Sequence, residues 1–392
     1  MPQPASPSRL AVGTMSGTSI DGLDAALVRL DGRGPDITAG LVRHESTPLG
    51  KLAVRFRAAA AQRPMTAGEF ARLAWDFGHL HIELIERLLD GAQPDLIAVH
   101  GQTVFHQPPI SWQLINPAPI EHRFGCPVIA DLRQADLAAG GQGAPITPLA
   151  DWIMFRPPPD GQARAIVNLG GYCNITFLPC AATGDGSPAK DARAALDLIR
   201  GFDVCPCNHI LDAIARRALG CPFDKDGRHA RRGVAHDEYA MALSCLFEDL
   251  RDENRSLGTG DEALDWVDAA LGLMSGRNTA ASACAAIAGA ITDAVEEFGR
   301  GHYALGQVIL AGGGARNAAL VEAIRSRAVQ PVSLSNDHGV PVDAREAMAM
   351  AVLGALRIDG VDITLPRVTG RDDSARGGSA SRLTAHRASS AR

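Results

Sequence analysis

Two apolar segments of this chain break at a glycine turn and resume at once as a second apolar segment. In the first, Val12–Ser16 and Leu23–Leu30 flank Gly17-Thr18-Ser19-Ile20-Asp21-Gly22. In the second, Ala165–Leu169 and Cys173–Leu178 flank Gly170-Gly171. Short runs joined this way read as adjacent antiparallel strands, and glycine at both ends of the first turn lets the backbone bend sharply. One hairpin falls in each half of 392 residues, a length beyond that at which a single hydrophobic core keeps growing. The pattern predicts two domains of duplicated design, although residue identity between the hairpins is too weak to establish a repeat by itself.

The rest of the chain alternates strand and helix periods, the pattern of an α/β protein whose sheets are covered by helices. Thr66 and Glu69 have capping-box spacing, and Phe70, Leu73, Ala74, Phe77, Leu80, Leu84, Ile85, Leu88 and Leu89 recur at helical intervals up to Gly91. Asp95–His100 and Pro127–Asp131 read as short strands running into the polar loops Gly101-Gln102-Thr103 and Leu132–Pro145. Asn208 is a candidate N-cap for a helix stopped by Gly220. An alanine-rich helix from Thr279 to Glu297 precedes the strand Gln307–Leu310, the run Gly312-Gly313-Gly314 and a helix beginning near Asn317. Asp343–Leu356 is the last long helix.

Composition removes several function classes. A net charge of -6 and 5% aromatic residues leave neither a basic footprint nor stacking platforms for nucleic acid. No apolar run approaches the roughly 20 residues a membrane span needs. The start, Met1–Ser8, lacks the apolar core of a secretory signal, so a cytoplasmic location is expected. The eight cysteines are scattered, which argues for free thiols over a disulfide framework. The stretch Arg371–Arg392 is rich in Ser, Ala, Gly and Arg and reads as a disordered tail.

Glycine lets backbone N–H groups come close to phosphate oxygens, and hydroxyls such as Thr18 and Ser19 add donors. Three glycine turns with aspartates nearby therefore point to a phosphate-bearing ligand, while neither a Walker A pattern nor a dinucleotide fingerprint is present. Asp21 and Asp24 flank the first turn, where a carboxylate can hold Mg²⁺ directly or through water. Asp21 can equally bond its own turn. Asp203 stands between Phe202 and Val204 at a strand end, suited either to a tuned general base or to helix initiation. Cys205, Cys207 and His209 alternate, but a structural zinc site needs a fourth ligand and no second pair has matching spacing. His100 and His106 bracket a polar loop, and Arg133 and Asp136 precede Gly140-Gly141-Gln142-Gly143-Ala144-Pro145, a set suited to an anionic, hydroxyl-rich ligand.

Taken in order, Gly13-Thr14-Met15-Ser16-Gly17-Thr18-Ser19-Ile20-Asp21-Gly22-Leu23-Asp24, His100-Gly101-Gln102-Thr103, Asp131-Leu132-Arg133 with Asp136, and Gly140–Pro145 resemble the anhydro-N-acetylmuramic acid kinase family. Asn168-Leu169-Gly170-Gly171 with Asn174, Gly201-Phe202-Asp203, Gly312-Gly313-Gly314-Ala315 with Asn317, and Glu346-Ala347 continue the match from Leu10 to about Gly370. The resemblance implies an actin/hexokinase/Hsp70-like fold: two α/β domains, each with a mixed sheet, and an ATP cleft between them. Set on this chain, the first domain is expected over 9–130 plus 350–370, the second over 131–349, and a tail over 371–392.

The implied reaction converts 1,6-anhydro-N-acetylmuramic acid to N-acetylmuramic acid 6-phosphate with ATP and Mg²⁺, in a homodimer that recycles peptidoglycan fragments. Asp203 becomes the general base. Gly17, Thr18, Ser19, Ile20, Asp21, Gly22, Leu23 and Asp24, with Asn168, Gly170 and Gly171, would contact phosphates and metal, Asp24 being the metal ligand. Gly312, Gly313, Gly314 and Ala315 would lie by the nucleoside. His100, Gln102, Arg133, Asp136 and Glu346 would take the sugar.

Three departures from the family pattern stand out. Val204-Cys205-Pro206-Cys207-Asn208 replaces the family's Thr-Gly-Pro-Gly-Asn and removes both glycines beside Asp203, which predicts a reshaped loop. The family's Pro-Lys-Ser-Thr-Gly-Arg segment corresponds at best to Arg255–Asp261, where the basic residues are largely lost. The chain also continues past Val368-Thr369-Gly370, where the family usually ends. These changes motivate an alternative, a non-catalytic ATP-binding protein of the same fold. A hydrolase acting on the anhydro bond with two carboxylates would need no ATP, and the phosphate hairpins oppose it.

Overall fold

A computed structural model describes residues 8–158, 161–180, 195–252, 263–302 and 304–372. The segment Arg255–Asp261 and the tail beyond Asp372 lie outside the described residues. Among the described residues no helix is long and apolar enough to cross a membrane. The chain divides into two compact units. The described parts of Met1–Arg156, Asp191–Ile199 and Gly339–Arg392 form the first, and those of Pro157–Lys190 and Arg200–His338 the second.

The first unit begins with the antiparallel meander β1 (Ser8–Met15), β2 (Gly22–Asp31) and β3 (Thr38–Pro48). Helices α1 (Lys51–Ala60) and α2 (Ala67–Leu89) follow, then β4 (Leu96–Val99). A small hairpin, β5 (Gln102–Gln107) and β6 (Ile110–Leu114), leads through α3 (Ala118–Phe124) to β7 (Val128–Ile129). Helices α4 (Gln134–Ala138) and α5 (Pro148–Phe155) complete this stretch. The expected polar loop after His100 is thus largely strand β5.

The second unit repeats the plan. It holds β8 (Ala163–Leu169), β9 (Tyr172–Leu178) and β10 (Arg200–Pro206), then α6 (Asn208–Ile214), α7 (Asp237–Asp252), α8 (Leu264–Leu271) and α9 (Gly276–His302). Strand β11 (Leu305–Ala311), helix α10 (Ala318–Arg327) and strand β12 (Val332–Leu334) close it. The chain then returns to the first unit through α11 (Arg345–Ile358) and α12 (Pro366–Thr369).

The sheets run β3-β2-β1-β4-β7 and β10-β9-β8-β11-β12. Numbered within each sheet, both read 3-2-1-4-5, with antiparallel pairing up to the first strand and parallel pairing after it. Shared order and shared strand polarity establish the duplication that hairpin shape alone could only suggest. Each sheet is mixed, as the two-domain α/β architecture requires.

Local signals act as elementary chemistry demands. The Thr66 hydroxyl accepts from Glu69 N at 3.3 Å while the Glu69 carboxylate accepts from Thr66 N at 2.7 Å, a complete capping box for α2. Asn317 Oδ1 accepts from Ala319 N and Leu320 N and caps α10. Asn208 does not cap α6: Cys207 holds that position, and Asn208 is the first helical residue. Gly220 ends the following π-turn in the left-handed region, at φ 68.

Helix α11 fills the centre of the first unit, buried on nearly every side from Arg345 to Leu356. A methyl group at Gly13 would collide with the Ala347 carbonyl and the Ala351 N–H, so helix and strand touch through glycine and alanine alone. At its start, Arg345 forms a bidentate pair with Asp151 of α5, with contacts of 3.0 and 2.6 Å, both side chains at most 1% exposed. Residues 131–156 and 339–349, which the sequence reading set in the second domain, fall within the first compact unit, where this pair links them. Arg371 and Asp372, expected in a disordered tail, also pack there: Arg371 Nη1 donates to Thr364 Oγ1 at 2.9 Å and Asp372 N to Ala139 O at 3.2 Å.

Two stability predictions follow from this packing. Gly13→Ala should lower unfolding free energy by about 3 kcal/mol or more, because backbone atoms cannot yield as side chains do; urea denaturation reads this directly. His81 is fully buried against Phe77, and burial pushes its pKa down to about 4. The unfolded chain therefore takes up a proton below pH 6.5 that the folded chain refuses. The stability is complete above pH 6.5 and is lost as pH falls towards 4, by up to about 3 kcal/mol. His81→Leu should flatten that loss in urea midpoints measured between pH 4.5 and 7. Some slope remains, since burial lowers the His100 pKa in the same direction.

Candidate active site

In the second unit, pairing register lines up residues from four strands. Ala311 lies opposite Asn168, Asn168 opposite Asn174, and Asn174 opposite Asp203. Asn168 and Asp203 are two strand spacings apart, about 10 Å. The row stands at the carboxyl ends of parallel strands β8 and β11, the end at which open α/β sheets bind ligands. Asp203 is half-buried inside β10, followed at once by a register shift of the kind that re-aims side chains near active sites. It does not initiate a helix, because α6 starts only at Asn208.

The turns Gly170-Gly171 and Gly312-Gly313-Gly314 leave from the same strand ends, and their glycines serve different purposes. Gly312 needs its φ of 78, and a methyl there would also press within 3.0 Å of Leu169 C. At Gly314 a methyl would come within 2.8 Å of Leu169 Cβ, and at Gly171 within 2.5 Å of the His209 ring. These glycines let the two loops and α6 pack closely. Gly313 is different: a methyl there would have nothing nearer than Asn208 Nδ2 at 4.0 Å. Among the described residues, the N–H groups of Gly171, Gly313 and Gly314 donate to no protein atom. Open space beside unspent amide donors suits an anion. Ala315 is buried beside them, its N–H donating to Gly312 O at 3.0 Å.

Cys205 and Cys207 are completely buried. Cys207, just past the end of β10, takes φ -122 and ψ -91, and neither cysteine has a positive φ. Burial pushes the Cys207 thiol well above its ordinary pKa, with the neighbouring thiols adding to the effect, as it does for Cys173. The His209 ring packs edge-on against Tyr172 at 4.9 Å. No cluster of His, Cys, Asp and Glu able to hold a metal occurs among the described residues.

In the first unit, the turn between β1 and β2 departs from its sequence reading. Gly17 and Gly22 have no positive φ; Ile20 does, at φ 53, an unusual conformation for a β-branched residue. Ile20 and Leu23 are buried in the core, so their side chains anchor the turn and offer a ligand only backbone. Arg57 Nη2 donates to Ile20 O at 2.9 Å and holds the outlier in place. Thr18, Ser19 and Asp21 are exposed, and the Ser19 hydroxyl donates to Asp21 Oδ1 at 2.7 Å. A methyl at Gly17 would enter nearly open space, the closest atom being Ser19 Oγ at 3.8 Å.

Asp24 sits at the start of β2, opposite Met15 on one side and Ser46 on the other. The Ser46 hydroxyl donates to Asp24 Oδ1 at 2.5 Å, and His44 Nε2 lies 3.3 Å from the same hydroxyl. Burial raises the Asp24 pKa above the usual carboxylate range; Ser46 and His44 oppose the rise, while Glu346 and Asp21 add to it. Glu346 therefore belongs electrostatically with Asp24. Sequence reasoning missed Ser46 and His44, since it did not identify β3 and so had no pairing register to bring them to Asp24.

The residues expected to meet the sugar divide into two kinds. Gln102 is completely buried, with Nε2 donating to Gly17 O at 3.1 Å and Oε1 lying 2.6 Å from Ser16 Oγ. It braces the first turn. Asp136 is 1% exposed, and its two oxygens accept from Gly143 N at 2.8 Å and Thr369 Oγ1 at 2.7 Å. It anchors the glycine-rich loop. His100 is buried and kept neutral by burial and by Arg133, whose Nε donates to His100 Nε2 at 3.0 Å. Arg133 Nη1 also donates to Gly143 O at 2.6 Å, so these two residues form one unit with the glycine-rich loop.

Comparison with known proteins identifies the family. The family model described as anhydro-N-acetylmuramic acid kinase matches residues 9–381, beyond Gly370 where the quoted motifs end. A protein of that name from Salinibacter ruber is 36% identical over 386 residues, covering 92% of this chain and 93% of its own. Its namesake from Bordetella pertussis is 36% identical over 379 residues, covering 93% of each. Another from Caldanaerobacter subterraneus subsp. tengcongensis is 32% identical over 392 residues, covering 92% and 94%. With a match over nearly its whole length and the ordered motifs set at two like sheet ends, the chain belongs to the anhydro-N-acetylmuramic acid kinase family.

Proposed function

We propose that this enzyme transfers the γ-phosphoryl group of ATP to O6 of 1,6-anhydro-N-acetylmuramic acid while adding water across the anhydro bridge. The observation that carries the reading is the row Asp203, Asn174, Asn168, set beside glycine turns with unspent N–H donors. Asp203 takes a proton from water as the water oxygen bonds to the anomeric carbon and the bond from that carbon to O6 breaks. O6 then bonds to the γ-phosphorus, and ADP leaves. Phosphoryl transfer demands chiefly positioning and charge stabilisation, which Gly171, Gly313 and Gly314 supply through backbone N–H groups. Gly17 supplies space.

Mg²⁺ would neutralise phosphate charge. Asp24 fits that ion, because a carboxyl raised by burial and by nearby Glu346 and Asp21 gains from a cation. Arg133 and His100 remain candidates for the sugar, while Gln102 and Asp136 act through the loops they hold. The same reading includes a homodimer, a cytoplasmic location and a role in peptidoglycan recycling; sedimentation of the purified protein tests the first.

Purified protein with Mg²⁺-ATP and the anhydro sugar should release ADP and sugar 6-phosphate in equal amounts. Ring opening without ATP would instead indicate a hydrolase, and ATP binding without turnover a non-catalytic protein. Asp203→Asn should lower turnover by about a thousandfold with ADP affinity unchanged in calorimetry; near-normal turnover removes Asp203 from the base role. Asp24→Asn should raise the Mg²⁺ concentration for half-maximal rate about tenfold, an expectation based on the loss of an oxygen ligand. The sign for stability is opposite. A carboxyl whose folded pKa is raised costs stability above that pKa, so the variant should unfold at higher urea than the parent at pH 7.

A further inference from the structure

We infer that Asn208 is a positioning residue: its carboxamide fixes the Leu169–Gly170 peptide plane that leads into the Gly170-Gly171 turn, and so steadies the next plane, whose free N–H faces a nucleotide phosphate. This rests on the nucleotide reading of the glycine turns given above. The carbonyls of three consecutive residues are fastened to the start of α6. Asn208 Nδ2 donates to Leu169 O at 3.1 Å, Asn208 N to Gly170 O at 3.0 Å, and Cys207 N and His209 N to Gly171 O at 2.8 and 3.3 Å. In a planar trans peptide the C=O and the following N–H point in opposite directions. Carbonyls drawn towards α6 therefore turn the next N–H groups away from it: Leu169 O, held by the Asn208 side chain, sets the plane of Gly170 N–H, and Gly170 O, held by Asn208 N, sets that of Gly171 N–H. Gly170 N donates to Tyr172 O at 3.2 Å, whereas Gly171 N has no protein acceptor among the described residues.

The backbone of α6 can hold Gly170 and Gly171, but it has no N–H left for Leu169. The Asn208 carboxamide provides that third bond. It also stands against the other glycine loop: a methyl at Gly314 would lie 3.0 Å from Asn208 Oδ1, and one at Gly313 4.0 Å from Nδ2. One side chain thus lies against both turns whose amides are unspent among the described residues. As the first residue of α6, Asn208 has a place that its side chain does nothing to cap. Its bond to Leu169 is what explains asparagine at this position.

The test separates phosphate positioning from general stability. In Asn208→Asp the shape is kept and the donor lost; in Asn208→Ala the whole amide is lost. Both should weaken ADP binding at least tenfold in calorimetry and raise the KM for ATP similarly, with adenosine affinity and the KM for the sugar within about twofold of the parent. Thermal midpoints should stay within a few degrees. If Asn208→Ala fails to fold, Asn208→Asp alone decides the matter. Unchanged ADP affinity, or equal losses for adenosine and ADP, overturns the assignment. Should the unsubstituted protein bind neither ADP nor adenosine, the nucleotide reading itself fails, which is a different result from an Asn208 effect that is absent.

Discussion

The first unit depends on how closely α11 lies against β1. Helix and strand approach until only Gly13 and the alanines at 347 and 351 fit between them, and Gly354 meets Ala98 of β4 in the same way. At such contact distances dispersion is strong and any added methylene must displace backbone. The helix comes from the far end of the chain, so this contact closes the unit around a long excursion. The buried Arg345–Asp151 pair fixes the helix start, and breaking such a pair leaves an uncompensated charge worth about 3–5 kcal/mol. At the helix end, Asp359 accepts from both Arg9 nitrogens at 2.8 Å and from Gly34 N at 2.8 Å.

That anchoring also places Glu346, next in sequence to Arg345. Held in the first turn of α11, it adds negative charge to Asp24, a carboxyl already raised by burial. The first unit thus brings carboxylates near one another, and Gln102 and Arg57 hold the turn beside them. In the second unit the arrangement has the opposite sign. Carbonyls are spent on α6, and the amide donors of Gly171, Gly313 and Gly314 stay available.

Much of this was legible in the residues. The two hairpins, the capped helix α2, the Asn317 cap and the long alanine-rich helix all appear where expected, with β1 and the alanine-rich helix longer than read, because each rests on contacts within a few residues. The departures share a cause. Asn208 has the composition of an N-cap, yet its amide is claimed by Leu169, 39 residues away. Asp136 has the look of a ligand-binding carboxylate, yet Thr369 and Gly143 occupy it. Gly17 and Gly22 suggested a glycine-driven bend, and the strained residue is Ile20.

The sequence by itself therefore determined the α/β class, the paired glycine hairpins and the ordered family motifs, since apolar periodicity and turn chemistry are local properties. Only the tertiary structure decided which polar residues are bonded inside the fold. A carboxylate or amide has the same composition in either role. The difference lies in partners supplied by segments distant in the chain, as Thr369 is for Asp136 and Leu169 for Asn208, and burial makes those bonds obligatory.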